Sequence, residues 1–195
     1  SQHPELVEEL QAVFEAHVAE ITANRRPTQL MTRPQNPVGS PNLSGRNSPV
    51  SKPLDWSKVK IGDVFGRNNA PNIAECPFCI FATVEGEDLS GVVVAQGGKV
   101  VGYSLYIKDG NCVFSVRLSA SELHRVKTPV GKGKLAIQAC LDAKGTLTLQ
   151  TGDEETTTTD GAMIERQPSE SLCIGHDDQK PVDSDAPSGA FNGKL

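Results

Sequence analysis

A mainly β fold, an antiparallel sandwich or jelly roll, is what this sequence predicts, and three observations carry the prediction. Short strand-like runs fill the chain after residue 54, turn residues separate them about every 8–12 positions, and helical periodicity fades there.

The clearest stretch is 91–116, GVVVAQGGKVVGYSLYIKDGNCVFSV. Val92, Val93 and Val94 are β-branched and stiff at χ1, which suits a pleated surface, and Gly97-Gly98 closes that run with a turn. In the next run Tyr103, Leu105 and Ile107 alternate with Ser104, Tyr106 and Lys108. Alternation of this kind implies one buried face, with Tyr103 in the core and Tyr106 exposed beside Ser104 and Lys108. Asp109-Gly110 readily takes the positive φ angles of a type I′ turn and returns the chain as NCVFSV.

A lone hairpin is marginal in water, so further strands must cover it. PFCIFATV at 77–84 supplies one. KLAIQACL at 134–141 puts Leu135, Ile137, Ala139 and Leu141 on one face, and DAKG turns it into TLTLQ, a second hairpin. SLCIG at 171–175 and FNGKL at 191–195 are also of strand length. The β-rich region begins near Leu54, where DWSKVKIGDVFG carries Trp56, Val59, Ile61, Val64 and Phe65.

Ahead of it the character differs. Over 4–23, Leu6, Leu10, Val13, Phe14, Val18 and Ile21 recur at helical spacing, which predicts an amphipathic helix. From 25 to 53 the chain is rich in Pro, Ser, Asn and Gly and reads as a linker. The expected organisation is therefore 1–24 helix, 25–53 linker and 54–195 sandwich.

A net charge of -5 and a pI near 5.4 argue against a nucleic-acid partner that relies on phosphate neutralisation. No run approaches the roughly 18–20 apolar residues that span a bilayer, so a soluble chain and no membrane partner are expected. The first residue is Ser1 rather than Met, which suggests a processed chain or a fragment.

Candidate chemistry is sparse. The 5 cysteines, Cys76, Cys79, Cys112, Cys140 and Cys173, lie scattered through strands and read mostly as small buried hydrophobes. Cys76-Pro77-Phe78-Cys79 has redox spacing but opens a strand rather than a helix, so easy pairing and thioredoxin-like chemistry are not expected. Asp177, Asp178, Asp183 and Asp185 offer hard oxygen ligands for calcium; without EF-hand spacing, a solvated acidic loop is the preferred reading. Tyr106 and Trp56 are the aromatic candidates for stacking on sugar rings. His3, His17, His124 and His176 show no zinc spacing.

GDVFG at 62–66, APNIA at 70–74, GVVVAQGG at 91–98, GYSLYIKDG at 102–110, IGHDDQKPV at 174–182 and FNGKL occur in order. Together they resemble the C-terminal domain that follows the catalytic domain in bacterial arylsulfatase-like enzymes, over roughly 55–195. The resemblance implies a concanavalin A-like, laminin-G-like sandwich in a periplasmic or secreted protein. It also implies that PELVEELQAVFEAHVAE at 4–20 is the last helix of an absent catalytic domain, and that FNGKL leads into a closing strand that runs further. The parent enzyme would use formylglycine and calcium, with its catalytic domain as the intramolecular partner of the sandwich and a polysaccharide as a further partner. Formylglycine arises from cysteine in C-x-P-x-R or C-x-A-x-R, and none of the cysteines here has that context. No catalytic residue and no cofactor are therefore assigned to this chain; a non-catalytic accessory domain is expected, with a stand-alone carbohydrate-binding module as the alternative.

Overall fold

The computed structural model describes residue 15 and residues 54–158, 163–178 and 180–195. Apart from Glu15, the helix expected over 4–23 and the linker over 25–53 lie outside the described residues. The residues from 54 onward belong to one compact unit, Asn47–Leu195.

Strands follow in the order β1 (Val64–Phe65), β2 (Phe78–Gly86), β3 (Gly91–Gly97), β4 (Gly102–Lys108), β5 (Asn111–Arg117), β6 (Leu123–Pro129), β7 (Gly133–Leu141), β8 (Leu147–Thr151), β9 (Glu154–Thr158) and β10 (Leu172–Ile174). They form a 6-stranded sheet, β1-β10-β3-β4-β5-β6, and a 4-stranded sheet, β2-β7-β8-β9. Every pairing is antiparallel. The predicted β-sandwich is what forms.

Both hairpins read from turn chemistry are present. Asp109 and Gly110 sit at φ 50° and 72°, as a type I′ turn requires, and Lys108 pairs with Asn111 across it. Asp142 caps the other, its carboxylate accepting from the Lys144 and Thr146 amides at 2.8 Å each. Two strands carry no apolar signature and were not foreseen. In β6 only Val126 and Thr128 are fully buried among charged neighbours, and β9 is Glu-Glu-Thr-Thr-Thr.

Between the sheets lies a core of Leu105, Phe114, Ile137, Leu141, Leu147 and Leu149 with their neighbours. Phe78, Tyr103 and Phe114 meet as an aromatic cluster, with centroids 5.0 to 6.5 Å apart. A bulge between Val92 and Val94 shifts the β3 register against β4. In consequence Val93 and Val94 both join the main core, while Val92 and Ala95 face the other way.

That other face is not the solvated surface that alternation implied. Val92, Ala95, Tyr106 and Val113 form a second buried cluster with Ala186 packed on it, and Tyr106 is only 2% exposed. The cover is the loop after β10. Arg117 Nε donates to the Val182 carbonyl at 2.6 Å, Lys108 Nζ to the Asp185 carbonyl at 3.0 Å, and Tyr106 Oη to Asp183 at 3.1 Å. Burying this face adds hydrophobic stabilisation on both sides of β3, β4 and β5.

The cysteine reading also needs correction. Cys79 and Cys140 stand directly opposite on β2 and β7 and form a disulfide, with Cα atoms 4.1 Å apart. Such a close approach belongs to non-hydrogen-bonded antiparallel pairs, a relationship that strand register alone reveals. Cys112 and Cys173 are buried thiols, pushed up by burial to about 12 and about 11.

Candidate binding surface

The edge strand β2 organises both surface features of interest. Its Phe78, Ile80, Ala82 and Val84 turn toward the core, so Cys79, Phe81, Thr83 and Glu85 turn outward by strand alternation. Phe81 is 73% exposed, the largest exposure among the large apolar side chains of the described residues.

Register places Phe81 beside Gln138 of β7, Gln138 beside Gln150 of β8, and Gln150 beside Glu155 of β9. These residues run as one row across the outer face of the 4-stranded sheet. The two glutamines are half-buried at their bases. Their carboxamide nitrogens donate locally, Gln138 toward Cys140 Sγ at 3.5 Å and Gln150 to the Gly152 carbonyl at 3.1 Å. An aromatic ring followed by oriented carboxamides is an arrangement that can cover an apolar ligand face and hydrogen-bond its rim.

Beside this row, a cleft of about 670 Å³ opens between the edges of the two sheets. Its floor is Val93, Val94, Tyr103 and Ile174 of the larger sheet, and Phe78, Ile80 and Ala82 line the other side. Trp56, 56% exposed, and Leu195 stand at its margin. Trp56 opens a short 3-10 turn, Trp56–Lys58, capped by Asp55, whose carboxylate accepts from the Ser57 hydroxyl at 2.6 Å.

Of the two aromatic candidates, Trp56 is at the surface and Tyr106 is not. Tyr106 is enclosed, and burial together with the Asp183 charge raises its phenol far above the usual range. The overlooked aromatic is Phe81; alternation in PFCIFATV, with Phe78, Ile80, Ala82 and Val84 sharing a face, was the signal that pointed it outward.

The four aspartates do different work from one another. Asp183 is fully buried and accepts from Arg125 Nε and Nη2 at 2.6 Å each, from the Asp185 amide at 2.9 Å and from Tyr106. Burial opposes its charge, but the Arg125 hydrogen bonds and the Asp185 amide outweigh it and hold the carboxyl below its ordinary range. Arg125 reaches Asp185 as well, at 3.1 Å. Asp177 accepts from the Asp178 and Val182 amides at 2.7 and 3.2 Å, and burial raises it to about 6. For Asp183 the solvated reading is thus overturned. Among the described residues, no group of three or more His, Cys, Asp or Glu side chains is placed to hold a metal ion. Nor is any described helix long and apolar enough to cross a membrane.

No protein-family profile matches the sequence, and no curated protein matches it. Solved structures do. Domains LG4-5 of the mouse laminin alpha1 chain match with a TM-score of 0.50 and 10% identity, over 70% of this chain and 36% of that one. A mutant of HCR/D matches with a TM-score of 0.43 and 12% identity, over 68% of this chain and 35% of its own. This chain spans roughly a third of the length of each. The laminin likeness speaks to the fold, a laminin-G-like β-sandwich.

Proposed function

We propose that this chain is a non-catalytic module of a larger arylsulfatase-like sulfuric ester hydrolase, and that its 4-stranded sheet holds the enzyme near a polysaccharide. The observation that carries the binding role is the exposed Phe81 ring at the head of the Gln138 and Gln150 row. Sugar rings present an apolar face to an aromatic ring and hydroxyls to carboxamides, and tethering raises the effective concentration of substrate at a linked active site. The negative net charge of -5 favours uncharged saccharide units over sulfate groups at this surface. The disulfide between Cys79 and Cys140 supports the oxidising compartment, periplasmic or extracellular, of such a hydrolase.

The sulfatase parentage rests on the ordered segments from GDVFG to FNGKL. It is tested by the coding sequence upstream of Ser1; a preceding domain without C-x-P-x-R or C-x-A-x-R would remove it. Binding is tested on the full chain by affinity electrophoresis in gels of neutral and sulfated polysaccharides. Retardation in a neutral gel that Phe81→Ala weakens by about tenfold, and Tyr106→Phe leaves unchanged, is the expected result. Uniform absence of retardation would leave a role in buttressing the catalytic domain. The chain alone is expected not to turn over an aryl sulfate with any added divalent metal.

A further inference from the structure

The disulfide between Cys79 and Cys140 lies on the outer face of the 4-stranded sheet rather than in the core. Cys79 is exposed and Cys140 half-buried, and Phe81 with Gln138 is the next pair along that face. Both sulfurs stand off the sheet, away from the backbone line on which Lys194 bridges Glu85, so a strand pairing along that line leaves them uncovered. The two strands also stay joined without the bond. Their register runs unbroken from Phe78 with Leu141 to Gly86 with Gly133, while Phe78, Ile80 and Ala82 pack on the core from the opposite face. The bridge can therefore open with β2 and β7 in place.

The two sulfurs are not equivalent. Gln138 Nε2 donates to Cys140 Sγ at 3.5 Å. A thiolate accepts a hydrogen bond more strongly than a disulfide sulfur does, so this contact tightens as negative charge develops on Cys140. Approach to Cys140 from the side opposite Cys79 crosses β8, where Thr148 is its register partner. Access and leaving-group stabilisation thus select one direction, with Cys79 attacked and Cys140 released. Cys112 and Cys173 do not compete as nucleophiles, being buried thiols with low thiolate character.

We propose that the Cys79 to Cys140 disulfide is a thiol-exchange site, which a dithiol reductant opens in the folded protein by attack on Cys79. The reductant's thiolate forms a bond to Cys79 Sγ, the bond between the two protein sulfurs breaks, and its electron pair leaves on Cys140 Sγ, which takes a proton from water. The reductant's second thiolate then attacks its own sulfur in the mixed disulfide and expels Cys79 as a thiolate, which is protonated in turn. The protein gains two electrons and two protons, and the dithiol, having lost both, departs as a disulfide. The ladder keeps the two thiols face to face, with Cα atoms 4.1 Å apart, so an oxidised dithiol closes the bond again by the reverse steps. Exchange makes the covalent tie between β2 and β7 reversible, and it stands whether or not the outer face binds saccharide.

The test uses the full chain carrying Cys76→Ser, which removes the free thiol that is not buried. Reduced glutathione is the probe, N-ethylmaleimide traps the released thiol, and peptide mass mapping locates each adduct. Glutathione on Cys79 with maleimide on Cys140 is expected to exceed the reverse arrangement by about tenfold or more. Gln138→Leu removes the donor, and is expected to slow opening by about fivefold and to lower the preference for Cys79. Asp183→Ala loosens the loop on the other sheet and so separates two routes. Opening in the folded state keeps its rate in that variant, whereas opening through global unfolding speeds up by about thirtyfold or more. The unchanged rate is the expected result. A rate that climbs in Asp183→Ala, equal labelling of the two sulfurs, or a bond that glutathione leaves closed in the folded chain would each overturn the proposal.

Discussion

Arg125 on β6 grips Asp183 of the covering loop through two parallel hydrogen bonds of 2.6 Å, and Asp183 is the one fully buried acidic residue described. This fork holds the loop over Tyr106, Val92 and Val113. Asp183→Ala would leave the buried Tyr106 hydroxyl without its acceptor and the Arg125 guanidinium with Asp185 alone, so a loss of about 2–3 kcal/mol is expected by urea denaturation. Tyr106 should become accessible in the same variant, measured by solvent-perturbation difference absorbance. Arg125→Lys should recover only part of the loss, because a point charge cannot reproduce the bidentate geometry.

Reduction of the disulfide provides a second measurement. Cys79 and Cys140 are separated by 61 residues, so the bridge restrains a long loop in the unfolded chain. Its removal, by reductant or by replacing both cysteines with Ser, is expected to cost about 2–4 kcal/mol in chemical denaturation.

Glycine substitutions should separate crowding from conformational strain. Gly102 has φ +146°, and a Cβ there would run into the backbone of Gln96 and Gly97 on the neighbouring strand. Gly110 has φ +72° with open space around it. Gly102→Ala is expected to cost about 2 kcal/mol or more, and Gly110→Ala about 1 kcal/mol, by thermal melts of the two variants.

Two aspartates give opposite pH signatures. Burial raises Asp177 to about 6 from an ordinary 3.8, so the folded protein takes up a proton that the unfolded chain declines between those values. Its contribution is fully present below about 4 and is lost as pH rises through about 6. Asp183 is lowered, so its contribution is present above 3.8 and is lost as pH falls through its folded value. Denaturation midpoints between pH 4 and 7 should flatten in Asp177→Asn, whereas the fall in stability below pH 4 should persist there.

Much of the architecture was legible because turn chemistry and alternation are local. Asp109-Gly110 and Asp142 to Gly145 announced their hairpins, and Tyr103 was assigned to the core on strand parity. Tyr106 was misjudged because its cover lies 77 residues away in an aperiodic loop. A strand's pattern sorts its own side chains and is silent about what arrives on the second face. For the same reason β9, with no apolar residue, showed nothing until β8 was there to pair with it. The Cys79 to Cys140 pairing required the β2 to β7 register, which is a tertiary fact. At the binding surface, Phe81 was readable from parity, whereas its row with Gln138 and Gln150 required two registers at once.

The reach from Arg125 to Asp183 also sets a schedule for synthesis. The two residues are 58 positions apart, so β3 to β6 leave the ribosome with Val92, Tyr106 and Val113 bare on their outer side. At roughly 5–20 residues per second, the covering loop follows about 3–12 seconds later. During that interval the nascent sheet is a hydrophobic surface open to chaperones and to neighbouring chains, and the arrival of one aspartate ends it.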